Sequence, residues 1–379
     1  MSRISELENL NCSVRLDNNQ QAFFELTRAG LWEKEAQQLQ YGKVDYDEVF
    51  RIADEQSVIG LVTAGIEHVQ DVKIPQEIVL QFIGASLQLE QQNKALNDFI
   101  VWLIEKLRKE DVYSLLVKGQ GIAQCYERPL WRASGDVDLL LSEDNYQRAK
   151  KVLIPLADNV EQEYKTFKHI GMTMKGDFVV ELHGTLHSRL SSCIDRSIDK
   201  AQNDVFCGGN VRSWNNNGTS VFLPSPDNDV IFVFTHILHH FFIEGIGLRQ
   251  ICDWCRLLWT YRDSLDRRLL ENRIRKMELM TEWKAFAAFT VEYLGMPVGA
   301  MPLLSENESR KLHRKADHIL QFVLESGNFG HNREAANGKF CSAWYKMKDF
   351  ARHSRIFPLD SIKFFWHFLW NGVELAIIK

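Results

Sequence analysis

The sequence predicts an α+β protein, with a small mixed-sheet core flanked by N-terminal and C-terminal helical regions. Three observations lead there. From Gln21 to about Arg108, apolar residues recur mostly at three- and four-residue steps, the spacing of amphipathic helices. Short apolar runs of strand type, separated by turn signals, fall within residues 112–223. Beyond Pro224 and Pro226 helical spacing returns. The expected partition is therefore 1–111, 112–223 and 224–379.

In chain order, residues 1–20 are polar and read as a mobile lead. Phe23, Phe24, Leu26 and Leu31 open the first helix, and Asp45–Ala53 and Ile59–Val69 suit two more. Pro75 starts a long helix over Glu77–Lys109, with Ile78, Phe82, Leu96, Phe99, Leu103 and Leu107 among its apolar positions. Leu115, Leu116 and Val117 form a buried-strand run, broken by Lys118-Gly119-Gln120-Gly121. A short helix over Ile122–Tyr126 and a loop over Pro129–Gly135 carrying Arg132 lead into a strand at 136–141. Ser142 is a suitable N-cap for a helix from Glu143 to about Leu156, with Glu143 and Asp144 in its first turn. Strands follow near 166–174 and 177–183, and Gly208-Gly209 and Asn215–Gly218 are hairpin signals. Segments 227–243, 246–262, 265–277, 279–294, 305–325 and 341–352 suit helices that close over the core.

Composition narrows the function. A chain of 379 residues with 45% hydrophobic content is long enough for two or three globular domains. A net charge of −5 with both signs interspersed argues against general nucleic-acid binding. The seven cysteines show no framework spacing, and the first twenty residues lack the apolar segment of a secretory signal, so a reducing cytoplasm is expected. Cys252 and Cys255 form a CxxC inside an apolar helical stretch and read as core residues. No run reaches the ~18 apolar residues of a membrane span. The closest, Ser361–Lys379, is interrupted by Lys363, His367, Asn371 and Glu374 and reads as a docked terminal helix.

The chemistry centres on Asp136-Val137-Asp138. Residues i and i+2 of a strand point to one face, so the two carboxylates would stand roughly 6.5–7 Å apart at their Cα atoms. Carboxylates that close repel, and a divalent cation relieves the repulsion. Mg²⁺ is commonly held by one or two carboxylates plus substrate phosphates. Glu181, within the apolar run Phe178–His183, offers a third acid. Two aspartates on one strand and an acid on a neighbour suit metal-assisted nucleotidyl transfer.

Leu116-Val117-Lys118-Gly119, Tyr126, Arg132, Gly135-Asp136-Val137-Asp138-Leu139-Leu140 and Glu181-Leu182-His183 together carry a resemblance. The chain resembles the nucleotidyltransferase superfamily of DNA polymerase beta and the aminoglycoside nucleotidyltransferases. Within it, the chain is most similar to a family of uncharacterised bacterial nucleotidyltransferases, over residues from about 20 to about 260. The resemblance implies transfer of a nucleoside monophosphate from an NTP to a hydroxyl or phosphate of a small-molecule or protein acceptor. It implies Mg²⁺, with Mn²⁺ able to replace it, on Asp136, Asp138 and Glu181 as metal-binding and catalytic residues, with Glu181 also helping to deprotonate the acceptor hydroxyl. Lys118, Gly119 and Arg132 would position the triphosphate, and His183 would contact substrate or metal, or satisfy a core hydrogen bond. The wider superfamily has Gly-Gly or Gly-Ser where this chain has Lys118-Gly119. That departure leaves a rival expectation, a nucleotide-binding scaffold that regulates a partner protein.

Other polar residues have plainer expectations. Arg132, four residues before Asp136, could contact the triphosphate or pair with Asp136 or Asp138, and Arg249 and Asp253, at i and i+4, could form a helix-stabilising pair. His236 and His240 also stand at i and i+4, but no Glu follows His236 as in HExxH, so these and His239 read as packed or pocket-lining histidines.

Overall fold

The computed structural model describes residues 16–164, 168–327 and 347–365. The residues 1–15, the start of the strand expected near 166, the first half of the helix expected over 341–352, and 366–379 of the expected terminal helix lie outside the described residues.

Helix α1 (Asn18–Trp32) opens on a capping box in which Asp17 accepts from the Gln20 N–H and the Gln20 side chain accepts from the Asp17 N–H. It is followed by α2 (Tyr46–Glu55), capped by Asp45, and by α3 (Ile59–Glu67). Helices α1 and α3 cross at glycines: a Cβ on Gly65 would lie 2.0 Å from the Leu26 carbonyl oxygen, and one on Gly30 1.9 Å from that of Leu61. The 33-residue α4 (Gln76–Arg108) serves two cores. Its early residues Ile78 and Phe82 join the core of the other helices, and its later residues Leu96, Phe99, Leu103 and Leu107 pack under the sheet.

The sheet combines β1 (Leu115–Val117), β2 (Val137–Leu140), β3 (Asn159–Val160), β4 (His169–Met174) and β5 (Phe178–His183), in the order β1-β2-β5-β4-β3. Only the β2–β5 pair is parallel, which makes the sheet mixed as expected. The two-residue side-chain period then sorts the strands by face. Val137, Leu139, Ile170, Met172, Val180 and Leu182 enter the core shared with the later half of α4 and with α6 (Glu143–Leu153). Asp138, His169, Glu181 and His183 alternate with them and line a cleft on the opposite face. Helix α5 (Gly119–Ala123) is the short helix after β1.

A helix absent from the sequence reading, α7 (Ser192–Phe206), follows β5. The Gly208-Gly209 signal lies just beyond its end, and the hairpin β6 (Val211–Asn216) and β7 (Thr219–Pro224) turns instead at Asn217-Gly218, where φ is +48° and +89°. Positive φ at both central residues is the geometry favoured in two-residue hairpins. The C-terminal helices are α8 (Pro226–His239), α9 (Leu248–Thr260), α10 (Arg267–Lys276), α11 (Met280–Tyr293) and α12 (Glu306–Ser326), with further helical residues at 347–353 and 358–365. They share one core with α1–α3. The junction is also polar: Arg256 Nη1 donates to the Leu31 carbonyl at 2.9 Å, Trp32 Nε1 to that of Leu294 at 2.6 Å, and Gln56 Nε2 to that of Val323 at 3.0 Å. Cys252 and Cys255 are buried in this core, and burial pushes the Cys255 thiol up to about 12, which suits packing. Among the described residues no helix is long and apolar enough to cross a membrane.

The glycine crossing gives a test of this packing. Gly65→Ala must displace backbone and is expected to cost about 1–3 kcal/mol, read as a lowered melting temperature. Gly84→Ala, in α4, meets nothing within 4 Å and is expected to be neutral or to stabilise by up to ~1 kcal/mol. Equal melting temperatures for the two variants would refute the close crossing.

Candidate active site

The parallel register of β2 and β5 places Asp138 beside Glu181 and Leu140 beside His183. The antiparallel register of β4 and β5 sets His169 opposite His183. Four polar side chains from three adjacent strands thus meet on one face. His183 Nε2 lies 2.8 Å from Asp138 Oδ1 and 3.3 Å from Glu181 Oε2, and His169 Nε2 lies 3.2 Å from Glu181 Oε2. Lys118, at the end of β1, brings Nζ to 3.0 Å from the same Asp138 oxygen.

Lys118 reaches that oxygen from a backbone with φ +57° and ψ −145°, followed by Gly119 at φ +41°. The first conformation is close to a region essentially reserved for glycine and carries about 1–3 kcal/mol of strain for another residue. Asp136 precedes β2 and opens to solvent at the cleft mouth. Lys118, Gly119, Arg132, Asp136, Asp138, Glu181 and His183 all line this single cavity of about 590 Å³.

The charges are set by their neighbours. Burial pushes the Asp138 carboxyl up, but Lys118 and the His183 hydrogen bond outweigh it and hold it below the ordinary value. Glu181 likewise sits below its usual range, because His169, His183 and Lys118 together exceed the cost of burial. His183 is raised: burial opposes its charge, and Asp138 and Glu181 overcome that opposition. Asp136 is raised, first by the protein around it despite its open side chain, then by the Asp138 and Glu181 charges.

Arg132 lines the cleft, but its guanidinium is engaged. Nε and Nη2 donate to the two Asp253 oxygens at 2.9 and 2.6 Å, and Nη1 donates to Ala133 O and Ser134 Oγ. Tyr126 OH donates to Asp253 Oδ1 at 2.8 Å. The acid that Arg132 meets is therefore Asp253 on α9, not Asp136 or Asp138, because packing of α9 against the 132–136 loop buries the two together, and the pair fixes the loop leading to Asp136. Arg249 donates from Nη1 to Ala133 O at 3.2 Å and also lines the cavity.

The other wall comes from α8 and the turn that follows it, where His236, His239 and His240 face the cavity with Glu244, so these histidines line a pocket as expected. His169 was missed by the sequence reading. A hairpin centred near Lys175–Asp177 would have placed it opposite His183 by counting residues outward. His169, Glu181 and His183 present ligand atoms within 4.8 Å of one another, close enough to share a metal ion. A second such group, Glu292, His313 and Asp317, lies on α11 and α12 away from the cleft.

A family model described as an uncharacterised nucleotidyltransferase matches residues 42–295, a span that contains the whole sheet and both walls of the cleft. No curated protein and no solved structure matches the chain.

Arg132 and Asp253 are each 4% exposed. Arg132→Leu leaves Asp253 buried without its cation and is expected to cost about 3–5 kcal/mol in denaturant unfolding. Arg132→Leu with Asp253→Leu should recover much of the loss, whereas additive losses would refute the pairing.

Proposed function

Since the chain belongs to the uncharacterised nucleotidyltransferase family, we propose that it transfers a nucleoside monophosphate from an NTP to the hydroxyl or phosphate of a small-molecule or protein acceptor, in the manner of the DNA polymerase beta-type superfamily and in the cytoplasm of a bacterium. The observation that carries this reading is the register of Asp138 with Glu181 on parallel neighbouring strands, with Asp136 over the same cleft.

The residues fit a divalent cation. Asp136, Asp138 and Glu181 offer hard oxygen donors, and their repulsion is now offset by Lys118 and His183, both in contact with Asp138 Oδ1. Mg²⁺, or Mn²⁺ in its place, would supply polarisation of the α-phosphate and charge neutralisation when held there. The chain's own residues do the rest by positioning and electrostatics. Lys118 is the cation at the mouth of the β1–α5 turn, suited to a phosphate once released from Asp138, and Gly119 lets the backbone approach. Arg132 acts at one remove, by holding the 132–136 loop on Asp253. His183 orients Asp138 and Glu181 through one ring nitrogen and stands beside the substrate space.

One observation favours the rival reading of a nucleotide-binding scaffold that regulates a partner: Lys118 Nζ, 3.0 Å from Asp138, is a tethered cation at the place a metal would occupy. Turnover separates the two.

Isothermal titration of ATP, GTP, CTP and UTP, with and without Mg²⁺, tests the proposal. At least one NTP is expected to bind in a Mg²⁺-dependent way, and Asp136→Ala/Asp138→Ala to weaken that binding at least about tenfold, or ~1.4 kcal/mol. NTP binding that ignores both Mg²⁺ and the double substitution would exclude the three-acid site.

A further inference from the structure

Nucleotidyl transfer needs a group to take the proton from the acceptor hydroxyl, a role the resemblance gives in part to Glu181. Asp138 Oδ1 is engaged by Lys118 and His183, Glu181 Oε2 is engaged by His169 and His183, and with Asp136 the two acids are the candidate metal ligands. His183 spends Nε2 on two of them. The opposite wall holds a different arrangement.

Helix α8 runs into a single π-helical turn, His240–Glu244. Such turns are rare and are frequent at functional sites. Here it brings Glu244 Oε2 to 2.9 Å from His240 Nδ1, while His240 Nε2 lies 3.0 Å from His236 Nε2. Glu244 Oε1 also lies 3.5 Å from His239 Nε2, and His239 Nδ1 is 2.8 Å from the Ser188 carbonyl oxygen. The ring tautomers are assigned from these distances. A carboxylate beside His240 Nδ1 calls for a hydrogen there, which leaves His240 Nε2 as an acceptor. His236 Nε2 must then carry the hydrogen that lies between the rings, and His236 Nδ1 keeps a lone pair. No described residue bonds that nitrogen, and the half-buried His236 ring lines the cavity that holds Lys118, Asp136 and Asp138.

We propose that His236 is the general base of the transfer, held in its working tautomer by His240 and Glu244. The inference rests on the nucleotidyl-transfer reading above. In the step, the acceptor O–H bond breaks and its proton goes to His236 Nδ1. The oxygen's electron pair forms the new bond to the α-phosphorus of the NTP. The bond from that phosphorus to the α–β bridging oxygen breaks, and pyrophosphate leaves with the electron pair. The imidazolium is stabilised through His240 by the Glu244 carboxylate and afterwards yields its proton to solvent. His240 and Glu244 are positioning residues in this scheme.

The electrostatics agree. Burial, then Lys118 across the cleft, then His240, His239 and His183, keep His236 well below its ordinary value and so unprotonated at neutral pH. A triphosphate beside Lys118 offsets the second of these causes and moves His236 upward, towards the range in which a base works best near neutrality.

The test uses the full chain, pyrophosphate release from the NTP that titrates, and water as the acceptor. His236→Gln is expected to keep NTP binding and its melting temperature, while release falls by about 10²–10⁴-fold. Added imidazole should restore part of the release in His236→Ala. Glu244→Gln removes the charge that stabilises the protonated chain, so the acid limb of the rate profile should move to lower pH, an effect that a purely structural glutamate would not have. Two histidines converging at i and i+4 are also a zinc geometry. Stoichiometric zinc lost on His236→Gln would overturn the base, as would wild-type release in that variant, or NTP binding without release by the wild type at any pH. Absence of NTP binding in the wild type would instead remove the nucleotidyl-transfer reading itself.

Discussion

The cleft depends on one buried ion pair. A charged pair gains stability in the interior only when its geometry is complete and its remaining hydrogen-bonding capacity is used. Arg132 and Asp253 meet that condition: both carboxylate oxygens accept from the guanidinium, Tyr126 adds a third donor, and the third guanidinium nitrogen is used by Ala133 and Ser134. Burial and the Asp253 charge keep the Tyr126 hydroxyl protonated, so it remains a donor. The pair joins the loop before β2 to α9, and so the floor of the cleft to the helices that form its far wall. Three residues on, Arg256 extends the same helix's grip to the Cys125 and Leu31 carbonyls.

On the floor, the electrostatic problem is the reverse. Asp138 and Glu181 stand where burial disfavours their charge, with Asp136 raised beside them at the mouth, and the protein answers with cations of limited reach. Lys118 is the costly one, since its backbone lies where glycine would rest without strain. The lysine carries that strain because its ammonium stands at the oxygen shared with His183. The strain and the ion pair therefore belong to one device, and the departure from a double-glycine turn has a physical counterpart in the fold.

Much of this was legible. The i, i+2 spacing suggested Asp136 and Asp138 on one strand face, but the strand begins only at Val137 and Asp136 stands just before it, while Asp138 and Glu181 alternate with apolar neighbours and line the cleft. The helices stood out by period. Helix α7 did not, although Ile194, Ile198, Ala201 and Val205 are spaced for one buried face and Ser191 caps it. The glycines after its end drew attention to a hairpin that begins only beyond them. Strand β3 has two exposed residues and no apolar signature. The partner of Arg132 was not legible, because Asp253 lies 121 residues away and its nearest sequence-level cation is Arg249. Local spacing cannot reveal a pair made by tertiary packing. The π turn after α8 was equally hidden, because a one-residue change of helical step leaves composition untouched.

The shared core of the first and last helices also bears on how the protein is made. Leu31 meets Arg256 across 225 residues of chain. At the usual pace of synthesis of ~5–20 residues per second, roughly 11–45 s pass between the appearance of the two at the ribosome. Over that interval Phe23, Phe24, Leu26 and Leu31 have no C-terminal partner to cover them. The nascent chain thus carries an uncovered apolar helical surface well before the sheet is complete.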